Sequence, residues 1–375
     1  MSNITLKIGG VEFKEFNAFK IALNYNGIAS TFSFDARYDQ SNKNHRNLFK
    51  PLQYQDCQVL FDGNVILTGI ILNHQLTANP EPTLNNISGY SKTGILEDSI
   101  LPPDQMPTQF DNLNLKEIAE SLIKPFGLKL IIDQVIQDIN TLYPDKEITS
   151  KGESATSDDE KENYDTISKK EHETIKEFLT KLCQQKNIIL THNAYGDLVF
   201  TRVKSTKQSI ATFTENRPST RIALSVDGQK LHSQITPQGQ MLFDTNQEQT
   251  DTIFNSLIKE FRPTVVTQSV GAIKKYNKAN IYSDSFGIQQ RSAELRSITL
   301  TIDTNEWIWF DGRRNHMIKP NDIIDVISPQ IFLSKRTSFF VESVELMSDE
   351  KSATANIKCV LPHVYNGQDP VNIFS

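Results

Sequence analysis

One β-rich segment is written twice in this chain, once near each end, and that duplication limits the folds open to it more than any other feature. The first copy runs Phe49-Lys50-Pro51-Leu52-Gln53-Tyr54-Gln55-Asp56-Cys57-Gln58-Val59-Leu60, then Val65-Ile66-Leu67-Thr68-Gly69-Ile70-Ile71-Leu72. The second runs Ile318-Lys319-Pro320-Asn321-Asp322-Ile323-Ile324-Asp325-Val326-Ile327, then Phe339-Phe340-Val341-Glu342-Ser343-Val344-Glu345-Leu346. Each copy reads as apolar-Lys-Pro, a polar stretch, two β-rich runs, a polar turn and a third strand, over 84–88 and 355–361. Two related β-modules point to a protein that builds by repetition, for which an enzyme has no evident need.

The patterning around the copies is that of half-buried antiparallel sheet, in which alternate residues share a face. Ile4, Leu6 and Ile8 alternate with Thr5 and Lys7. Ile21, Leu23 and Tyr25 follow the same rule, and Asn26-Gly27 is a turn signal because glycine accepts positive φ. Ile28, Ser30, Phe32, Phe34 and Ala36 are expected on one strand face. The run 65–72 is apolar on both faces, and Asp62-Gly63-Asn64 is a hairpin turn. Ile298, Leu300 and Ile302 repeat the alternation near the second copy.

Between the copies the period changes. Leu115, Ile118, Ala119, Leu122 and Ile123 share a helical face behind an Asn114 N-cap, and Pro125 and Gly127 end the helix. Ile175, Phe178, Leu179, Leu182 and Cys183 define a second helix. A hairpin follows, over 188–191 and 197–202. Residues 145–170 read by composition as a polar loop. Strands are expected over 221–226 and 231–235, a short helix from Ile253, Leu257, Ile258 and Phe261, and a polar helix over 274–296. The last stretch, from His363, reads as an extended tail.

The length of 375 residues calls for several domains. The fold class is β-rich α+β: two related antiparallel β-barrel modules, a small α+β domain and a mixed insertion. The boundaries are 1–103 for the first module and 104–204 for the α+β domain with its loop 145–170. The second module takes 205–240 and 297–362, the insertion 241–296 and the tail 363–375.

No recognisable chemistry stands out. Asp158-Asp159-Glu160 lacks calcium-loop spacing and reads as a solvated face. His172-Glu173 begins like a zinc-protease motif, but Lys176 stands where the second ligand belongs. The seven histidines are scattered, and Cys57, Cys183 and Cys359 sit in apolar patterns that suit core residues better than reactive thiolates. There is no G-x-S-x-G and no phosphate-binding glycine loop. The expectation is no catalytic residue, no metal and no cofactor. The N-terminus lacks a signal-peptide pattern, and no apolar run nears the ~20 residues that span a bilayer, so membrane insertion is not expected. A net charge of −6 without a dense basic stretch argues against specific nucleic-acid binding. Trp307 and Trp309, two apart, share a strand face as core, interface or a sugar platform. Phe339 and Phe340 face opposite sides, so one of them must meet a second layer or a partner.

The order of these features resembles the baseplate hub proteins of contractile-tailed phages, the Mu-type hub and late-control protein D group. Gly89-Tyr90-Ser91-Lys92-Thr93-Gly94-Ile95-Leu96-Glu97-Asp98-Ser99 is similar to the family's segment ending the first barrel. Leu113-Asn114-Leu115-Lys116-Glu117-Ile118-Ala119 with Pro125-Phe126-Gly127 resembles its helix. Glu173 to Leu179, Ile189-Leu190-Thr191 and Gly196 to Arg202 resemble its helix-hairpin, and Phe261-Arg262-Pro263 and Lys319-Pro320-Asn321-Asp322 also have counterparts. The resemblance implies two tube-type modules per chain and a homotrimer presenting six modules in a ring. Such a ring joins a threefold spike to a sixfold tail tube. Implied partners are the chain itself, the central spike, the tube or tube-initiator protein and other baseplate proteins. The implied location is the virion tail baseplate, assembled in the bacterial host cytoplasm. Loop 145–170 looks like an insertion relative to that pattern. A second reading, a carbohydrate-binding or hydrolytic tail-associated protein, rests on Trp307, Trp309 and the abundant carboxylates.

Overall fold

The computed structural model describes residues 4–14, 16–37, 41–77, 84–100, 109–134, 136, 164–168, 172–185, 188–203, 207–240, 252–269, 279–310, 315–349 and 351–374. The first module contains β1 (Ile4–Ile8), β2 (Val11–Phe13), β3 (Phe16–Asn24), β4 (Thr31–Arg37), α1 (Lys43–Leu48), β5 (Asp56–Phe61), β6 (Asn64–Leu76), β7 (Leu84–Ser91) and α2 (Ile95–Asp98). The α+β domain adds β8 (Gln109–Leu113), α3 (Leu115–Ile123), β9 (Leu130–Ile132), β10 (Tyr164–Ser168), α4 (Ile175–Gln185), β11 (Ile189–His192) and β12 (Leu198–Thr201). The rest of the chain is β13 (Ser209–Thr214), β14 (Thr220–Val226), β15 (Gln234–Gln240), β16 (Ile253–Phe254), β17 (Pro263–Ser269), α5 (Ala279–Leu295), β18 (Ile298–Thr304), β19 (Ile308–Phe310), β20 (Asn315–Met317), β21 (Ile323–Ser328), β22 (Leu333–Ser348), β23 (Ala353–Val360) and α6 (His363–Asn366).

The duplicated segment folds twice into the same three-stranded meander. β5, β6 and β7 pair in sequence, as do β21, β22 and β23. Both long central strands are bulged at matching places, between Ile71 and Asn73 against β7 and between Val341 and Ser343 against β23. The third strand continues in both copies onto two more, β4 then β3 in the first and β18 then β14 in the second. One large sheet results, in the order β14-β18-β23-β22-β3-β4-β7-β6-β5-β1-β2, with β13 added parallel to β21. The fold class read from the sequence is the one found.

Alternation explains the core. On β18 Ile298, Leu300 and Ile302 are buried while Thr299, Thr301 and Asp303 are partly covered. Buried side chains of both modules form one continuous cluster, and a second cluster fills the α+β domain. The α3 helix begins as expected, with a reciprocal capping box between Asn114 and Glu117. Thr174 and Glu177 bond reciprocally at the start of α4. Asp62 and Gly63 both take positive φ, 46° and 79°, the pairing a two-residue hairpin needs.

Several local expectations change. The Asn26-Gly27 turn forms without a left-handed glycine, since Gly27 is not among the positive-φ residues. Ile28 and Ser30 are buried but precede β4; Ile28 packs into the α+β core instead. Within the expected loop 145–170, Tyr164–Ser168 is a strand paired with β8, and 145–163 lies outside the described residues. Where a helix was expected from Ile253 to Phe261, β16 is followed by a turn: Leu257 and Ile258 pack on the core but Phe261 is 75% exposed, so the four residues share no face. Gln234–Gln240, read partly as a strand of the second module, pairs with β16 and β17 in a separate sheet covered by α5. The segment from His363 forms α6 and docks, with Val364 and Tyr365 buried.

Candidate functional site

The two modules meet where β3 pairs antiparallel with β22. Leu23 faces Val344, Ala22 faces Glu345 and Ile21 faces Leu346. Ile21, Leu23, Val344 and Leu346 are buried on one face, and on the other Lys20 Nζ lies 2.8 Å from a Glu345 carboxylate oxygen. β22 serves both modules along one edge. β21 pairs with its first half, Asp322 O accepts the Val341 N–H at 2.9 Å, and β3 takes over from Ser343. The Tyr25 N–H donates to Glu342 O at 2.9 Å and closes the corner.

A polar and aromatic knot sits at that corner. The Glu342 side chain, buried by the bulge, accepts a hydrogen bond from Tyr365 Oη at 2.7 Å and lies 3.2 Å from Lys358 Nζ and 3.8 Å from Arg296 Nε. Burial, with the adjacent Glu342 carboxylate, raises the Tyr365 phenol well above its ordinary range, so it stays a donor. Phe340 packs against Tyr25 at 5.1 Å and Tyr365 at 4.6 Å between ring centroids.

The structure places all four singled-out aromatics under residues of their own chain. Phe339 and Phe340 are both fully buried on opposite faces of β22, and Tyr25 and Tyr365 supply the second layer for Phe340. Trp307 lies against Phe19 of β3 and Phe61 of β5, so a second-module residue anchors in the first. Trp309 packs on Phe213 with the Arg217 guanidinium 3.7 Å from its ring centroid. Neither tryptophan offers an open face to a sugar. In the sequence Glu342, Arg296 and Tyr365 stand out in no role of their own, and Tyr25 only has a place in a strand alternation. A carboxylate inside the apolar run Phe339-Phe340-Val341-Glu342 is the signal that could have found them, because a buried charge needs partners.

The α+β domain docks on the β3–β4 connection through His192. Its Nε2 is 2.8 Å from Ser30 Oγ and its Nδ1 3.1 Å from Gly27 O. The Gly27 carbonyl can only accept, so in the neutral ring Nδ1–H donates to it and Nε2 accepts the Ser30 hydroxyl proton, while Ser30 Oγ accepts the Asn24 N–H. Burial lowers the His192 pKa, and the neutral ring this network needs is the favoured one.

Among the described residues, no group of three or more His, Cys, Asp or Glu is placed to hold a metal. The three cysteines form no disulfide and are buried, and burial pushes the Cys57 thiol up to about 12. No helix among the described residues is long and apolar enough to cross a membrane.

The fold is that of phage tail proteins. The 43 kDa tail protein of prophage MuSo2 from Shewanella oneidensis superposes with a TM-score of 0.73 at 20% identity, over 97% of this chain and 100% of that one. A component of the Escherichia coli type VI secretion system, described as structurally similar to T4 tail proteins gp27 and gp5, superposes with a TM-score of 0.53 at 9% identity, over 98% of this chain and 80% of that one. In sequence the chain is similar to baseplate hub protein gp44 of Escherichia phage Mu, 21% identical over 299 residues, 77% of this chain and 70% of gp44. No protein-family model matches. The resemblance to the Mu-type hubs read from the sequence is met by sequence and fold alike.

Proposed function

We propose that the chain is a structural baseplate hub of a phage or phage-derived contractile injection particle. Three copies form a ring that adapts a threefold spike to the sixfold tail tube. The observation that carries this reading is the β3–β22 pairing: two modules with one plan and matching bulges are fused edge to edge into a single sheet. A chain built as two repeats of a ring unit lets three copies present six equivalent units, which is how a symmetry mismatch is bridged by closed association. Similarity to a Mu baseplate hub and fold likeness to a type VI secretion component support a place between tube and spike. The partners in this reading are further copies of the chain, a central spike, a tube or tube-initiator protein and other baseplate proteins. The location is the tail baseplate of the particle, assembled in the bacterial cytoplasm.

The test is solution mass by light scattering together with negative-stain imaging. A mass three times that of the chain and particles with a central opening are expected; a monomer that cleaves peptidoglycan would sink the reading.

A further inference from the structure

The joint between the modules has a counterpart that the chain leaves open. Strand registers fix the correspondence. Ile71 faces Gly89 as Val341 faces Cys359, and both bulges follow at once, so His74, Gln75 and Leu76 of β6 stand where Val344, Glu345 and Leu346 stand on β22. Gly89 faces Phe32 as Cys359 faces Leu300, and these in turn face Ile21 and Leu224. Ile21, Ala22 and Leu23 of β3 therefore correspond to Leu224, Ser225 and Val226 of β14.

In the chain β3 covers β22, but no described strand covers the matching stretch of β6. β5 leaves β6 at the Asp56–Ile70 pair, the Gln55 carbonyl takes the Ile71 N–H, and 73–76 have no strand on that side. β14 pairs with β18 over seven residues without a register shift, and no described strand lies along its other edge. Soluble proteins shield such edges with shortness, proline, lysine or bulges. β2, at the other end of the sheet, is three residues long, whereas β14 runs seven residues with no proline or bulge and, past Arg221 at its start, no charge.

Exposure follows the same correspondence. Leu346 and Leu23, at the filled joint, are 1% and 6% exposed; Leu76 and Val226, their counterparts, are 52% and 47% exposed. Two apolar side chains and two regular edges thus stand open at the places the repeat would cover.

We propose that the open edge of β14 in one copy of the chain pairs antiparallel with the open edge of β6 in the next copy. The register is Leu224 opposite Leu76, Ser225 opposite Gln75 and Val226 opposite His74. The contact is head-to-tail, so it generates a closed ring or a filament rather than a twofold dimer. It rests on the ring reading above and adds to it the surface that makes the ring: each copy extends the sheet by two modules joined in one way.

The test uses the full chain. Gln75→Cys and Ser225→Cys alter exposed positions, and the three native thiols are buried. Directly opposite residues of an antiparallel pair bring their Cβ atoms within about 4.5–5.5 Å, close to disulfide range. Mixing the two single variants under mild oxidation is expected to give a disulfide-linked dimer that neither variant gives alone, and the double variant is expected to link into a covalent oligomer. Leu76→Asp and Val226→Asp are each expected to weaken association about tenfold or more, which is ~1.4 kcal/mol, with an unchanged circular dichroism spectrum. An oligomer that forms without the mixed disulfide, or that survives both aspartates, overturns this joint and leaves the ring reading standing. A wild-type chain that stays monomeric at tens of micromolar overturns both. A β14 edge captured instead by the β6 edge of its own chain would appear as an intramolecular disulfide in the double variant and also overturns the proposal.

Discussion

Leu52 and Asn321 occupy the same position in the two copies of one module, the residue after Lys-Pro, and both have a left-handed backbone, with φ of 62° and 76°. Asparagine enters that region readily; a leucine there brings Cβ against the following carbonyl. Leu52 is also 73% exposed, so its side chain recovers little of that cost by packing. The second copy turns tightly here, with the Lys319 N–H bonded to the Asp322 carboxylate at 2.8 Å. The first copy takes two more residues before its strand and needs a second left-handed residue, Tyr54, φ 48°.

Replacing Leu52 by the residue of its counterpart is therefore expected to stabilise the protein. Leu52→Asn should add about 1 kcal/mol, and Asn321→Leu should remove a similar amount, since a left-handed non-glycine residue costs roughly 1–2 kcal/mol. Urea denaturation of the two variants checks the opposite signs. Equal destabilisation by both would mean that Leu52 makes a contact outweighing its strain.

The repeat was legible in the sequence because its apolar alternation, turns and Lys-Pro starts lie within short windows. The burial of Ile298, Leu300 and Ile302 and the capping of α3 by Asn114 follow from the same local rules. The joint was not legible. Its register sets Ala22 against Glu345, and nothing local specifies a pairing across more than three hundred residues. One of Phe339 and Phe340 reads as needing a second layer or a partner, but Tyr365, which supplies that layer for Phe340 with Tyr25, lies in a segment that reads as an extended tail. The spacing of Ile253, Leu257, Ile258 and Phe261 fits a helical face by coincidence, because a strand and a turn send them to different surroundings.

Acidification is expected to loosen the docking of the α+β domain. The folded protein lowers the pKa of His192, mainly by burial, so as pH falls the unfolded chain takes up the proton first, near the ordinary histidine value of about 6.5. His192 thus imposes no penalty above that pH and a growing one below it, until the native ring protonates in turn. His74 and His363 are shifted the same way by burial and add to the slope. Stability measured by denaturant titration should fall between pH 7 and 5, and His192→Gln should flatten part of that fall. A His192 ring seen by NMR to protonate at or above 6.5 would contradict this.

Beyond the buried Val364 and Tyr365, the C-terminal segment is tied down by one guanidinium. Arg291 of α5 donates to Gly367 O at 2.8 Å and to Phe254 O at 2.7 Å, and lies 3.1 Å from the Asp369 carboxylate, which also accepts from Ser256 Oγ. Arg291→Met keeps the aliphatic stem and removes these bonds. Hydrogen bonds to charged groups contribute roughly 1.5–3 kcal/mol each, so local docking should weaken by at least about 2 kcal/mol. Amide exchange over 363–374 should speed up while β22 and β23 keep their protection. Unchanged exchange in the segment would show that Val364 and Tyr365 anchor it by packing alone.

Phe340 and Trp307 reach between the modules from different elements, and this makes the two modules one folding unit. Phe340, fully buried, fills the corner beside Tyr25 of the first module; Trp307 inserts between Phe19 and Phe61. Phe340→Ala and Trp307→Ala should each cost about 3–5 kcal/mol, the usual range for a buried aromatic truncated to alanine. Because both modules share one continuous core, each variant should shift a single cooperative transition rather than divide it. Charge at both sites together, as in Trp307→Asp with Phe340→Asp, should abolish folding, since two uncompensated carboxylates would enter that core. Thermal unfolding followed in parallel by tryptophan fluorescence and circular dichroism separates the possibilities. If the two probes diverge in the alanine variants, the β3–β22 joint is a hinge between independent domains, and the sheet is continuous in pairing but not in cooperativity.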